Sequence, residues 1–264
     1  MKTLKRILAA TTLLVTLGFA SEANAQVPLE NFFKNPEKAG YQISPDGKYF
    51  SYMAPYENRL NLFVQEVGSD KATRITSETV RDLAGSMWAN GHRILYIKDT
   101  AGDENFQLYG VNVDGTDSKA YTAFPKVRTT IIDPLENIDS LVIIGLNKRN
   151  PQVFDPYRLN LNNGELTQLA ENPGNIQGWM TDHNGKLRLA LAIVDGVNTQ
   201  ILYRETEEQP FRPVLTTNFK ETVSFATFTP DNKMVYALTN IGRDKTALVL
   251  MDPATCEEKE VLYT

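Results

Sequence analysis

From residue 40 onward the apolar positions fall in short runs, and each run is entered from a polar turn. The stretch Ile43-Ser-Pro-Asp-Gly-Lys-Tyr-Phe-Ser-Tyr-Met53 shows the pattern most clearly. Pro45 presets φ for the second position of a turn, Asp46 bonds the backbone ahead of it, and Gly47 takes the positive φ that a side chain resists. Tyr49, Phe50, Tyr52 and Met53 then suit a pleated, half-buried surface, so a strand leaves the turn. The device recurs as Trp88-Ala-Asn-Gly91 before Ile94 to Ile97, as Thr181-Asp-His-Asn-Gly185 before Leu187 to Val194, and as Thr229-Pro-Asp-Asn232 before Met234 to Leu238. The last turn residues, 47, 91, 185 and 232, are 44, 94 and 47 apart, and a worn copy fills the double gap: Asp133-Pro-Leu-Glu-Asn137 before Leu141-Val-Ile-Ile144. The repeat therefore has five copies.

A second set of turns runs out of phase with the first. Leu62 to Val67 turns at Gly68-Ser-Asp70, Phe106 to Val113 at Asp114-Gly115, Tyr157 to Leu161 at Asn162-Asn-Gly164, Ile201 to Tyr203 at Glu207-Glu-Gln-Pro210, and Ala247 to Met251 at Asp252-Pro253. Two hairpins in each repeat of roughly 40 to 50 residues make four strands, the blade of a β-propeller. A sandwich also spaces its strands regularly but has no reason to repeat turn chemistry at a fixed period. The expected fold is all-β, with four-stranded antiparallel blades at about 40–76, 82–122, 129–170, 174–216 and 223–264, preceded by a lead-in at 26–39 whose Leu29, Phe32 and Phe33 pack on the first blade. In the fifth blade Met234, Tyr236 and Leu238 alternate with Val235 and Ala237, and Ala247, Val249 and Met251 with Leu248 and Leu250. One of each set is expected to face a neighbouring blade and the other to stay bare if the ring is incomplete, with closure at five blades as the alternative.

Ahead of the repeats, Lys2, Lys5 and Arg6 precede an apolar run from Ile7 to Ala20 and then Ala23-Asn-Ala25. These are the three parts of a secretory signal peptide over residues 1–25, with cleavage between Ala25 and Gln26. The run is short for a membrane span, which needs about 20 apolar residues. The expected location is periplasmic or secreted, with no membrane attachment after cleavage. Cleavage leaves 24 of the 27 basic and 31 of the 32 acidic residues, net −7, a poor surface for nucleic acid. Cys256 is the single thiol, so no disulfide forms within the chain, and the core rests on packing alone.

Candidate chemistry is sparse. His92 and His183 both fall at hairpin tips, read as solvated turn residues because no nucleophile motif accompanies either. The Gly-x-Ser-x-Gly elbow does not occur. Asp99-Thr-Ala-Gly-Asp-Glu-Asn105 gathers three carboxylates, but its spacing departs from the calcium-loop pattern and it reads as a solvated loop, so neither a metal nor a cofactor is expected. Glu205, Glu207 and Glu208 read as a charged strand edge rather than a site for a peptide's amino terminus. Arg128, Lys148 and Arg149 lie near strand ends with no partner visible.

Phe32-Phe-Lys-Asn-Pro36 before Ser44-Pro-Asp-Gly47, Gly102-Asp-Glu-Asn105 with Leu108-Tyr109, Leu146-Asn-Lys-Arg-Asn-Pro151 with Phe154-Asp-Pro-Tyr-Arg158, and Gly178-Trp179 before Asp182 occur in this order. As a set they resemble the amino-terminal propeller of prolyl oligopeptidase-family serine peptidases, over essentially the whole chain after the signal. The resemblance implies a ring of seven or eight blades, of which five are present, over an α/β-hydrolase domain whose serine, aspartate and histidine cut short peptides while the propeller restricts entry. No triad position carries over, so no catalytic residue is assigned and binding residues stay unassigned. The implied role is a substrate-gating propeller that is not catalytic by itself, with peptides and a hydrolase domain as partners. The alternative is a free-standing periplasmic propeller that binds peptides or proteins, like that of the Tol system.

Overall fold

The computed structural model describes residues 27–264; the signal peptide and its cleavage site at Ala25 and Gln26 lie outside them. Two units are distinguished, residues 1–35 and 36–264. The described part of the first is a short 3-10 turn, Leu29–Phe32. Leu29, Phe32 and Phe33 belong to this unit.

The second unit is five four-stranded antiparallel sheets, each a meander of consecutive strands. Blade 1 comprises β1 (Ala39–Ile43), β2 (Tyr49–Tyr56), β3 (Arg59–Glu66) and β4 (Ala72–Arg74). Blade 2 comprises β5 (Gly85–Asn90), β6 (Arg93–Lys98), β7 (Gln107–Asn112) and β8 (Lys119–Ala120). Blade 3 comprises β9 (Thr129–Asp133), β10 (Leu141–Asn150), β11 (Val153–Asn160) and β12 (Leu166–Gln168). Blade 4 comprises β13 (Ile176–Thr181), β14 (Leu187–Val194), β15 (Asn198–Tyr203) and β16 (Arg212–Thr217). Blade 5 comprises β17 (Val223–Phe228), β18 (Val235–Thr239), β19 (Ala247–Met251) and β20 (Glu258–Tyr263). This is the all-β architecture the repeat predicts. Among the described residues the five sheets do not close into a ring.

The repeated turn is a repeated hydrogen-bond pattern. In blade 1 the Gly47 N–H donates to Ser44 O (2.9 Å), Ser44 Oγ to Asp46 Oδ1 (2.7 Å), and the Tyr49 N–H to Ser44 Oγ (3.0 Å). In blade 5 the Asn232 N–H donates to Thr229 O (2.8 Å), Thr229 Oγ1 to Asp231 Oδ1 (2.6 Å), and the Met234 N–H to Thr229 Oγ1 (3.1 Å). Gly47 sits at φ +71° and Asn232 at φ +59°, the left-handed conformation the turn needs. The hydroxyl on Asp46 is the chief reason its carboxyl is held down to about 2; Thr229 does the same, in direction, for Asp231.

Between blades the core is apolar. Leu62 and Val64 meet Ile94, Tyr96 and Val111 at the joint of blades 1 and 2. Leu95 and Leu108 meet Val142, Ile144 and Leu159 at the next. Leu189, Ile201 and Tyr203 meet Phe228, Val235, Ala237 and Val249 at the last. Polar ties join neighbouring blades at close to one repeat of sequence: Gln42 Nε2 to Ser86 O (2.8 Å), Asn90 Nδ2 to Asp139 O (3.1 Å), Tyr121 Oη to Leu161 O (2.8 Å), Arg158 to Glu207 (2.8 Å), and the His183 N–H to Asn232 Oδ1 (2.9 Å).

Candidate functional site

The first strands of the blades lie at the sheet edges, each bonded to a single neighbour in its sheet, and β1 contacts β5 while β9 contacts β13. Clefts open along these edges. Where β9 and β13 begin, Thr130 to Ile132 and Ile176 to Trp179 line a cleft of about 460 Å³, closed at its end by Gln152, Val153, Phe154, Asn172 and Gly174. At the opposite ends of the inner strands are two more, about 560 and 350 Å³, which share Pro134, Glu136 and Asn137. The first of these is lined chiefly by Ile43, Met87 and Trp88. The second is edged by Asp133, Asp182 and His183.

The rim of the 460 Å³ cleft is fixed by a buried carboxylate. Asp155, 0% exposed, receives Arg149 Nε and Nη2 in a two-pronged pair at 2.9 and 3.0 Å and also the Asn172 N–H at 2.7 Å. Arg149 Nη2 reaches on to Asn172 O (2.7 Å), and its other nitrogen lies 3.3 Å from Glu171. Such a pair fixes the plane of both groups, which is why arginine rather than lysine serves here. Hydrogen bonding to Asp155 pushes the Arg149 pKa further up. Asn172 in turn clasps β13: its Oδ1 accepts from the Gly174 N–H (2.8 Å) and the Ile176 N–H (3.1 Å), and its Nδ2 donates to Ile176 O (3.0 Å).

Several side chains sit otherwise than their sequence context implies. Glu207 is not part of a solvated edge: it is bonded by Arg158 Nη2 and by the Leu187 N–H (3.0 Å), and joins blade 3 to blade 4. Glu205 accepts from Tyr203 Oη and lies 3.1 Å from Arg188, while Glu208 is exposed. His183 is exposed at its turn, yet its Nε2 lies 2.9 Å from Phe228 O and so ties blade 4 to blade 5. His92 is exposed. Arg149 has the partners just given, Lys148 lies 4.5 Å over the Phe124 ring, and Arg128 lies 5.7 Å over the Phe106 ring. In the acidic loop Asp99 faces Arg81 (3.4 Å) and accepts from the Glu104 N–H (3.2 Å), while Asp103 binds the Thr100 and Asn105 N–H groups. Among the described residues no three His, Cys, Asp or Glu side chains gather as metal ligands. Burial pushes the Cys256 thiol up to about 12.

Asp155, Asn172 and Arg188 carry much of this architecture and were not singled out by sequence reasoning. The usable signal was Phe154-Asp-Pro-Tyr-Arg158, where an aspartate stands between Phe154 and Pro156 inside a strand and, if buried, demands a partner. Arg188, 9% exposed at its side chain, bonds Asn232 O (2.9 Å) and Tyr203 Oη (2.5 Å) and lies 3.6 Å from Asp182.

Open-ended clefts of mixed polar and apolar lining along unpaired strand edges, with ion pairs fixing turns and one blade joint, belong to a β-propeller-like fold of five blades. Comparison with known proteins places it further. No family model matches the chain. It is 31% identical over 239 residues to dipeptidyl aminopeptidase BIII of Pseudoxanthomonas mexicana, an alignment that takes in 87% of this chain and 34% of that protein. It is 27% identical over 272 residues to dipeptidyl peptidase family member 6 of Caenorhabditis elegans, covering 96% and 36%. The chain thus spans about a third of the length of the curated relatives it matches. Among solved structures, a prolyl endopeptidase aligns with a TM-score of 0.61 at 12% identity, over 88% of this chain and 37% of that one. The resemblance to the propeller of prolyl oligopeptidase-family serine peptidases, read from the motifs, therefore holds.

Proposed function

We propose that the chain is the substrate-gating propeller portion of a periplasmic or secreted serine peptidase of the prolyl oligopeptidase type, and that it is not catalytic by itself. The observation that carries this is the alignment along 87% of the chain with a dipeptidyl aminopeptidase of which it spans 34%. The geometry supports it. Among the described residues the polar side chains with fixed partners, Arg149, Asp155, Arg158, Arg188 and Glu207, serve the joints and turns of blades. His183 Nε2 faces a backbone carbonyl rather than a serine or cysteine, so no nucleophile is paired with it for general-base activation. The clefts support the gating reading, because they run along the inner strand edges and suit an extended chain better than a folded domain.

One experiment tests both parts. Expressed in a bacterium with a Sec pathway, the chain should be recovered from the periplasm with an intact mass beginning at Gln26, and a fluorophosphonate should leave every serine unmodified. Stoichiometric labelling of one serine overturns the non-catalytic reading, and a mass that retains residues 1–25 overturns export.

A further inference from the structure

The cleft between blades 3 and 4 differs from the other two large clefts in carrying no charged side chain among its lining residues. Its polar groups are the amides of Gln152, Asn172 and Gln177 and the hydroxyl of Thr130. A charged peptide terminus finds no counter-ion among the lining residues, and Arg149 and Glu171 at the rim are already paired, Arg149 with Asp155 and with Glu171; the uncharged interior of a peptide finds amide partners and apolar walls in Ile132, Phe154 and Trp179.

One wall of the cleft is a bare strand edge. β13 is bonded within its sheet to β14 alone, so the N–H and C=O groups along its other side have no strand partner. The structure also shows what that strand accepts, because the Asn172 side-chain amide sits on the backbone of Ile176 with both a donated and an accepted bond, at 3.0 and 3.1 Å. That is the pair of bonds an incoming peptide group makes with a strand residue. Beyond Ile176 the strand continues through Gln177, Gly178 and Trp179 along the cleft. Gly178 presents no side chain, so another backbone can approach closely there.

We propose that the blade 3–blade 4 cleft binds the interior of an extended peptide by strand addition to β13, with a peptide side chain packed against Trp179. This rests on the gating reading and names how the gate holds its substrate: through main-chain groups, hence with little preference for sequence. The length of peptide held is set by the open edge from Gln177 to Thr181.

The sequence has two tryptophans, so the Trp88→Phe variant makes Trp179 the sole indole reporter. Trp88 Nε1 has no hydrogen-bond partner, so the replacement gives up no bond. The full chain carrying this change is titrated with a capped, uncharged hexapeptide of alternating Ala and Val. Two further versions are used, N-methylated at every second nitrogen or at every nitrogen. The expected result is a saturable change in Trp179 fluorescence with the plain peptide, retained when one edge is methylated, and a loss of at least tenfold in affinity when both edges are blocked. Equal binding of the fully methylated peptide overturns strand addition while leaving peptide binding by the propeller intact. No change with any of the three overturns the inference, and if intrinsic fluorescence and calorimetry both report no peptide uptake, the gating reading falls with it.

Discussion

In the fifth blade Val235, Ala237, Ala247 and Val249 are at most 1% exposed against blade 4, whereas their immediate neighbours in the chain, Tyr236, Leu238, Leu248 and Leu250, occupy the opposite face, where Leu238 is 44% exposed. Tyr236 pairs across the sheet with Leu250, and Leu238 with Leu248, so these form one apolar patch. The first blade shows the mirror situation. Leu62 and Val64 pack into the joint with blade 2. The Tyr52 and Phe63 rings belong to the other face and stack at 5.7 Å; there Tyr52 is only 3% exposed, and the apolar surface left to solvent is that of Tyr41, 57% exposed and 5.2 Å from Tyr52. An inner blade must be apolar on both faces because it has two neighbours, and blades 1 and 5 are built to the same rule. The difference between buried and bare faces is therefore one of neighbours, and only slightly one of composition.

The comparison breaks most visibly at Phe228, which is 1% exposed in the joint with blade 4. Phe228→Ala should cost about 3–5 kcal/mol, as truncation of a fully buried aromatic does, read as a lower denaturant midpoint. A midpoint unchanged within error means that the joint does not hold the blade. On the opposite face the double change Leu238→Ser with Leu250→Ser should alter stability by about 1 kcal/mol or less, because surface replacements away from a packed joint are nearly neutral. It should markedly reduce self-association in light scattering, since an exposed apolar patch of this kind drives aggregation. Equal aggregation of the wild type and the double variant places the sticky surface elsewhere.

The smallest effect is at a turn that belongs to neither face. The folded-state pKa of Asp46 is lowered from 3.8 to about 2, chiefly by the Ser44 hydroxyl and then by Lys48. A depressed carboxylate adds stability above its unfolded pKa and loses it as pH falls through the folded value. The thermal midpoints of wild type and Asp46→Ala should thus differ slightly at neutral pH and converge between about pH 4 and about pH 2. A gap that persists at the acid end assigns the effect to chain conformation rather than to charge.

The blades were legible because their signals are local. Pro, Asp and Gly at a turn act on residues two or three positions away, and the Ser44 and Thr229 hydrogen bonds repeat one another closely. What joins the blades was not legible. Glu207 reads as a surface acid beside Glu208 until Arg158, 49 residues earlier, is seen to reach it. The arginine–aspartate clasp at the cleft escaped for a different reason: Arg149 and Asp155 are six residues apart, but on opposite arms of a hairpin whose register shifts between Leu146 and Asn150. The edge of β13 carries no residue signal at all, since its chemistry is that of the backbone.

The polar ties between blades have a consequence for how the chain is made. None of these inter-blade ties spans more than 49 residues, and each joins a blade to the next one. A β protein usually waits for distant segments to meet, which slows it and lengthens the exposure of sticky strands. Here each joint is available as soon as one further repeat has left the ribosome, a few seconds at about 5–20 residues per second. Order can then spread from the first blade toward the fifth as synthesis proceeds, and the surface awaiting a partner at any moment is one blade face rather than a whole unfolded domain.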